Sequence, residues 1–211
     1  MKPTAMIGVF ASVFMVSVGL AFVSADHDHD RPGQIKHSDH DDDDDDQRVA
    51  VGLKYAREQG ITLDFRRKNK ELVGLGSYLV NAVGGCNDCH TAPPYTQDPF
   101  AGLGAPKQIN IPCYLAGGTP FGPPPFGLPP ASPVSRDITP WEDGKPAGLT
   151  FNEFRHLIRT GEDPDNPGQV LRVMPWPVFQ TMTDHDLRAI YEFLSAIPAI
   201  DPGTCGVPSV S

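Results

Sequence analysis

The chain has 211 residues, a formal charge of −9 and only 4 cysteines. Net acidity without an evident phosphate-seeking basic surface argues against a nucleic-acid binder. Residues 1–25, "MKPTAMIGVFASVFMVSVGLAFVSA", set Lys2 ahead of an apolar run from Ala5 to Val23 and close on small residues. That pattern predicts an export signal, either a peptide cleaved after Ala25 or an uncleaved membrane anchor. The remainder is then expected to be periplasmic or otherwise exported, where thiols are oxidised or chemically capped.

Residues 26–48 hold ten Asp against three Lys or Arg and almost nothing apolar, which predicts a disordered Asp/His-rich tail. Its His27, His29, His37 and His40 leave two readings open, a weak metal-binding or anchoring module and a plain solvated spacer. From Val49 to Ser211 the charge falls to −3, and the length suits one domain with one core.

Within that domain "KYAREQGITLDF" predicts a short helix near Lys54 to Gln59. "NKELVGLGSYLVNAVGG" predicts another, with Leu72, Leu75, Tyr78 and Leu79 at helical spacing and Gly84-Gly85 closing it. Its Gly74 and Gly76 lower helix propensity and suggest that a second backbone approaches there. "LTFNEFRHLIRTG" carries a capping box at Thr150 and Glu153 and stops at Gly161. "MTDHDLRAIYEFLSAIP" is capped at Thr183, has Asp184 and Asp186 in its first turn, and aligns Leu187, Ile190, Tyr191 and Leu194 on one face. Between Thr91 and Pro140 lie thirteen prolines, too many for helix or central strand. The apolar residues scattered among them, such as Ile109, Tyr114 and Leu115, predict a packed wrap around something large and apolar.

"GGCNDCHTAPP" places Cys86, Cys89 and His90 on one turn. A Cys-x-x-Cys-His run is the attachment signature of c-type haem: two thiols reach the two vinyl groups while the adjacent imidazole faces the iron. A thioredoxin-like pair would want a strand before Cys86, and a zinc site would want four ligands at paired spacing. Outside the export segment the methionines are Met174 and Met182. Met174 sits in "RVMPWPVF", stiffened by Pro175 and Pro177, and is the candidate second axial ligand; Met182, beside a helix cap, reads as packing. His156 and His185 are the bis-imidazole alternatives, each on a helix surface.

Taken in order, "GGCNDCH", the Gly/Pro loop, "SRDITPWEDGKPAGLTFNEF", "MPWPVF" and the final helix resemble the class I, mitochondrial-type monohaem cytochrome c domain. They are most similar to the cytochrome domains serving bacterial periplasmic alcohol and aldehyde dehydrogenases. The resemblance spans residues 71–200 and implies an all-α cytochrome c fold in which a few helices surround one covalently bound haem c. It implies thioethers at Cys86 and Cys89, His90 as proximal and Met174 as distal iron ligand, and a helix around Gly76 and Tyr78 crossing the last helix. It places "SRDITP" near the haem propionates, with Arg136, Thr139 and Trp141 as candidate donors, and a carbonyl near Pro93 as the acceptor for the His90 ring nitrogen.

Cys113 and Cys205 are left over, and in an oxidising compartment they either pair as a disulfide or stay as two separate buried thiols. Two strong axial ligands leave no open position on iron, so the expected function is one-electron transfer without catalytic residues. The partners would be periplasmic redox proteins, a dehydrogenase donor and a cytochrome or oxidase acceptor. The alternative is a haem peroxidase or gas sensor in which the methionine dissociates.

Overall fold

The computed structural model describes residues 40–97, 102, 107–122 and 133–205, without the side chains of 40–43 and 202. The export segment, residues 26–39 of the tail, and residues 123–132 of the Pro-rich run therefore lie outside the described residues. Every described element belongs to one compact unit, His37–Ser211.

The first helix, α1, runs His40–Gln59. Its first nine residues belong to the stretch expected to be disordered, so that expectation is corrected for residues 40–48. The acidic run lies at the helix N-terminus, where the macrodipole favours negative charge. Arg48, a turn on, ion-pairs with Asp45. The second half of α1 is anchored on α2, Lys70–Tyr78, as composition alone does not reveal.

Asn69 caps α2 by accepting from the backbone N–H groups of Glu71 and Leu72 at 2.8 and 3.2 Å. Its two glycines face two different helices. A Cβ on Gly74 would lie 3.0 Å from the carbonyl oxygen of Val49, and one on Gly52 would lie 2.0 Å from that of Gly74. On the other side, a Cβ on Gly76 would lie 2.0 Å from the Ala189 carbonyl oxygen. α2 is thus held between α1 and the last helix, with backbones closer than any side chain allows. The buried Ser77 hydroxyl donates to the Gly52 carbonyl at 2.7 Å and locks the first crossing.

After Tyr78 the chain widens into a π-helical turn, Leu79–Val83. Gly84 N–H closes it on the Leu79 carbonyl at 2.7 Å, and Gly85, at φ 58°, turns the chain into α3, Cys86–His90. The following wrap pairs by isolated bridges, Thr91 with Gly117, Tyr95 with Ile109 and Pro120 with Val134. The described residues contain no extended strand. Ile109, Tyr114, Leu115 and Ala116 of this wrap are buried, so it contributes to the core.

Helix α4, Phe151–Thr160, begins with the Thr150/Glu153 capping box and ends at Gly161 in the left-handed conformation. The single turn α5, Trp176–Phe179, follows, then α6, Asp184–Leu194, capped by Thr183 and Asp186. One apolar cluster joins Val73 of α2, Val80 of the π turn, Leu115 of the wrap, Phe154 and Ile158 of α4, and Leu187, Phe193 and Leu194 of α6. Each of these large side chains contributes about 1.5–3 kcal/mol on burial. Among the described residues no helix is long and apolar enough to cross a membrane.

Candidate functional site

The turn α3 presents Cys86 against the main apolar cluster, with Cys89 and His90 partly buried beside it. Burial pushes the Cys86 thiol up to about 12, a shift to which Cys89 and Asp88 add. Cys89 is also raised, first by burial and then by Asp88. Reactive dithiol pairs show the opposite shift.

His90 is the best-defined member of the site. Its Nδ1 lies 2.8 Å from the main-chain carbonyl oxygen of Arg136. A carbonyl only accepts, so Nδ1 carries the proton and Nε2 carries the lone pair, the form in which an imidazole ligates a metal. Burial lowers the pKa of His90, and the bond to Arg136 partly opposes that shift. The expected acceptor near Pro93 is thereby corrected. The Pro93 carbonyl accepts from Asn110 Nδ2 and the Pro94 carbonyl from Asn87 Nδ2, each at 3.1 Å.

Gly117 explains how a residue 46 positions downstream reaches His90. Its N–H donates to the His90 carbonyl at 2.7 Å. Its φ is +79°, and a Cβ there would lie 2.5 Å from the Ser135 carbonyl oxygen and 2.6 Å from the Arg136 carbonyl carbon. The bare backbone of Gly117 therefore lets the segment 135–137 lie directly on the segment that follows α3. The buried Thr91 hydroxyl, accepting from Leu115 N–H at 2.9 Å, fastens the same junction. Asn81 of the π turn does likewise, accepting from the Tyr114 hydroxyl at 2.6 Å. Gly117, Thr91 and Asn81 were not singled out in the sequence; the Gly117-Gly118 pair in "YLAGGTP" was the available signal.

The three "SRDITPW" candidates occupy different situations. Arg136 donates from Nη2 to the Ala147 carbonyl at 2.9 Å and pairs with Asp165 through Nη1. Its Nε is buried without a hydrogen-bond partner. A buried cationic N–H is costly to leave unpaired, and an anionic group such as a haem propionate would satisfy it. The guanidinium lies 5.1 Å from the ring of Trp141, itself half exposed and packed on Gly148. Thr139 is fully buried; its hydroxyl oxygen accepts from Ile200 N–H at 3.3 Å and ties this segment to the end of the chain.

Met174 packs against the same apolar cluster as Cys86, as does Met182. The backbone around Met174 is braced by Trp176, whose Nε1 donates to the Leu171 carbonyl at 3.0 Å and whose ring lies against Gly161. His156 and His185 are both exposed, His156 against Glu162 at 2.8 Å. Cys113 and Cys205 lie together with Cα atoms 5.6 Å apart and sulfurs in bonding contact. No group of three or more His, Cys, Asp or Glu side chains among the described residues is arranged to hold a metal ion.

Compared with known proteins, the chain matches no family model and no solved structure. It is 27% identical over 129 residues to the gluconate 2-dehydrogenase cytochrome c subunit of Pantoea cypripedii, a match covering 59% of this chain. The match spans 23% of that subunit's length, and it is consistent with a cytochrome c domain.

Proposed function

We propose that this chain is an exported one-electron carrier, a class I monohaem cytochrome c domain with His90 and Met174 as axial ligands. The observation that carries the reading is the oriented imidazole: the residue directly after Cys-x-x-Cys has its Nδ1 proton committed to a main-chain carbonyl and its Nε2 lone pair available. The residues present suit a haem. Cys86 and Cys89 would form the thioethers, His90 and Met174 would hold the iron, and the buried Nε of Arg136, with Trp141 and Thr139 nearby in sequence, would face a propionate.

Bound there, a haem c supplies a single electron-accepting centre. The protein's part is to hold it. The Arg136 carbonyl orients His90, the Trp176 brace restrains the backbone at Met174, and the apolar cluster excludes water from one side. A methionine ligand favours ferrous iron and raises the potential, and two protein ligands leave no position for oxygen or peroxide. The resemblance to a dehydrogenase's cytochrome subunit supports a dehydrogenase as electron donor and a cytochrome or oxidase as acceptor. The Cys113–Cys205 pair is read as a disulfide, consistent with a periplasmic location.

The test is spectroscopic. Protein matured in a host that attaches c-type haem should contain one haem per chain, show the weak near-infrared band of a methionine-ligated ferric haem, and bind carbon monoxide slowly. Met174→Ala should abolish the band and admit carbon monoxide rapidly. Rapid binding by the unaltered protein would instead support the peroxidase or sensor reading, and an unchanged band in the variant would remove Met174 as ligand.

A further inference from the structure

The acidity of the whole chain conceals one basic stretch. Residues 54–71, the end of α1, the loop after it and the first turn of α2, carry six Lys and Arg against three acids on a chain of net charge −9. Two of those acids are held within the stretch, Glu58 by Lys54 at 2.9 Å and Asp64 by Arg66 at 2.8 Å. Among the described residues Arg57, Arg67, Lys68 and Lys70 make no ion pair, and the one acid left against them is Glu71. The loop is fastened at both ends. Asp64 N–H donates to the Ala196 carbonyl at 2.8 Å, in a stretch, residues 195–200, that carries no charge. Lys68 N–H closes a turn on the Phe65 carbonyl at 3.2 Å, and Asn69 caps α2. Within that turn Phe65 is 39% exposed, the Arg66 side chain 88%, and Arg67 stands at φ 57°.

We propose that this loop is a docking surface for a bilayer containing anionic phospholipid, with the four unpaired cations against headgroup phosphates and Phe65 at the boundary of the acyl chains. Binding of this kind grows with buried apolar area plus electrostatic attraction, and each Lys or Arg near an anionic leaflet adds to it. An exposed aromatic ring among cations supplies both contributions from one turn. A continuous anionic plane satisfies cations drawn from a loop and two helix ends, with no need for carboxylates placed to match each of them. The Asp41–Asp46 run does not cancel the patch. Asp46 precedes Arg57 by eleven residues of α1, about 16 Å of helix, and exposed charges are largely screened beyond about 8 Å at physiological ionic strength. The four cations precede residues 71–200, over which the chain resembles cytochrome c domains, so the surface stands or falls apart from the carrier reading.

The test is co-sedimentation of the haem-loaded chain from Asp26 onward, which keeps every described element, with vesicles of phosphatidylglycerol and phosphatidylcholine in equal parts. Binding should be measurable at low salt, weaken as salt is raised to physiological strength, and be absent with phosphatidylcholine alone. The triple variant Arg67→Asn, Lys68→Gln, Lys70→Gln should lose about tenfold or more in affinity. Asparagine tolerates the positive φ at 67, so an unchanged melting temperature separates that loss from misfolding. Phe65→Ser should weaken binding severalfold while keeping its salt dependence. Arg155→Gln with Arg159→Gln and Arg188→Gln, an equal loss of charge on α4 and α6, should leave binding within about twofold. Absence of binding by the unaltered protein, equal binding to phosphatidylcholine, or equal weakening by the α4 and α6 variant would each overturn the proposal. So would binding of a hexa-aspartate peptide that the loop variant abolishes while vesicles are ignored, which would assign the loop to an acidic protein, and so would release from vesicles by inorganic phosphate at constant ionic strength, which would assign it to the free anion.

Discussion

Gly117→Ala is the substitution that separates a packing role from a site role most sharply. Alanine at φ +79° costs about 1–2 kcal/mol from backbone sterics alone. Its Cβ would also meet the Ser135 oxygen at 2.5 Å and the Arg136 carbon at 2.6 Å, so the segment 135–137 must move back. That motion disturbs the Gly118–Ser135 bond of 2.9 Å and the His90–Arg136 bond of 2.8 Å, each worth about 1 kcal/mol. The total is about 3–4 kcal/mol, or roughly 6–16 °C of melting temperature for a domain of this length. Gly60→Ala is the control: φ is +79° there too, with nothing within 4 Å of the added carbon, so only the backbone cost of about 1–2 kcal/mol remains. The assay is thermal unfolding of both variants, paired with the reduction potential of the haem-loaded protein. Loss of the Nδ1 bond makes His90 a poorer electron donor and should raise the potential in Gly117→Ala alone. Equal melting temperatures and equal potentials in the two variants would refute the reasoning.

Gly76→Ala sets a Cβ 2.0 Å from the Ala189 carbonyl oxygen and should destabilise by about 3 kcal/mol through forced separation of α2 and α6, measured by urea unfolding with the melting of Gly60→Ala as reference. Cys113→Ser with Cys205→Ser removes a bridge between residues 92 apart; the chain-entropy relation predicts a loss of about 4–5 kcal/mol, read from the same urea curves. Hydrogen bonds from Arg159 and then Arg155 hold the Asp184 carboxyl below its ordinary value of 3.8. A depressed carboxyl stabilises the fold fully above that ordinary value and loses the contribution as pH falls through its folded-state value. The stability gap between the unaltered protein and Asp184→Asn, from melting curves across pH, should therefore be constant at neutral pH and close below about pH 4.

What the sequence made legible was local. Thr150 with Glu153 and Thr183 with Asp186 are short-range hydrogen-bonding pairs, so α4 and α6 begin where the pattern places them. Gly74 and Gly76 announced a close approach by lacking side chains, although not that each faces a different helix. The acidic residues 40–48 were misread because their composition resembles that of a disordered chain. What holds them helical is the continuation into residues 49–59, pinned on α2 through Gly52 and the Ser77 hydroxyl.

The site followed the same division. Cys86, Cys89 and His90 are adjacent, and their spacing carries its chemistry in plain view. The acceptor for His90 is not legible, because it depends on how a Pro-rich wrap of some forty residues returns to α3, and that is decided by Gly117, Thr91 and Tyr114 acting through tertiary contacts. The consequence is that Arg136 serves twice, through its main-chain carbonyl on His90 and through a side chain that holds the Ala147 carbonyl and Asp165 while its Nε is buried without a hydrogen-bond partner. A side-chain substitution at 136 leaves the carbonyl in place and removes the bond to Ala147, the ion pair with Asp165 and the contact with Trp141, whereas a displacement of the backbone at 135–137 perturbs the carbonyl and the side chain together. Residues that shape that backbone, Gly117 above all, therefore govern the site more strongly than several of the polar side chains that the motif itself brings to notice.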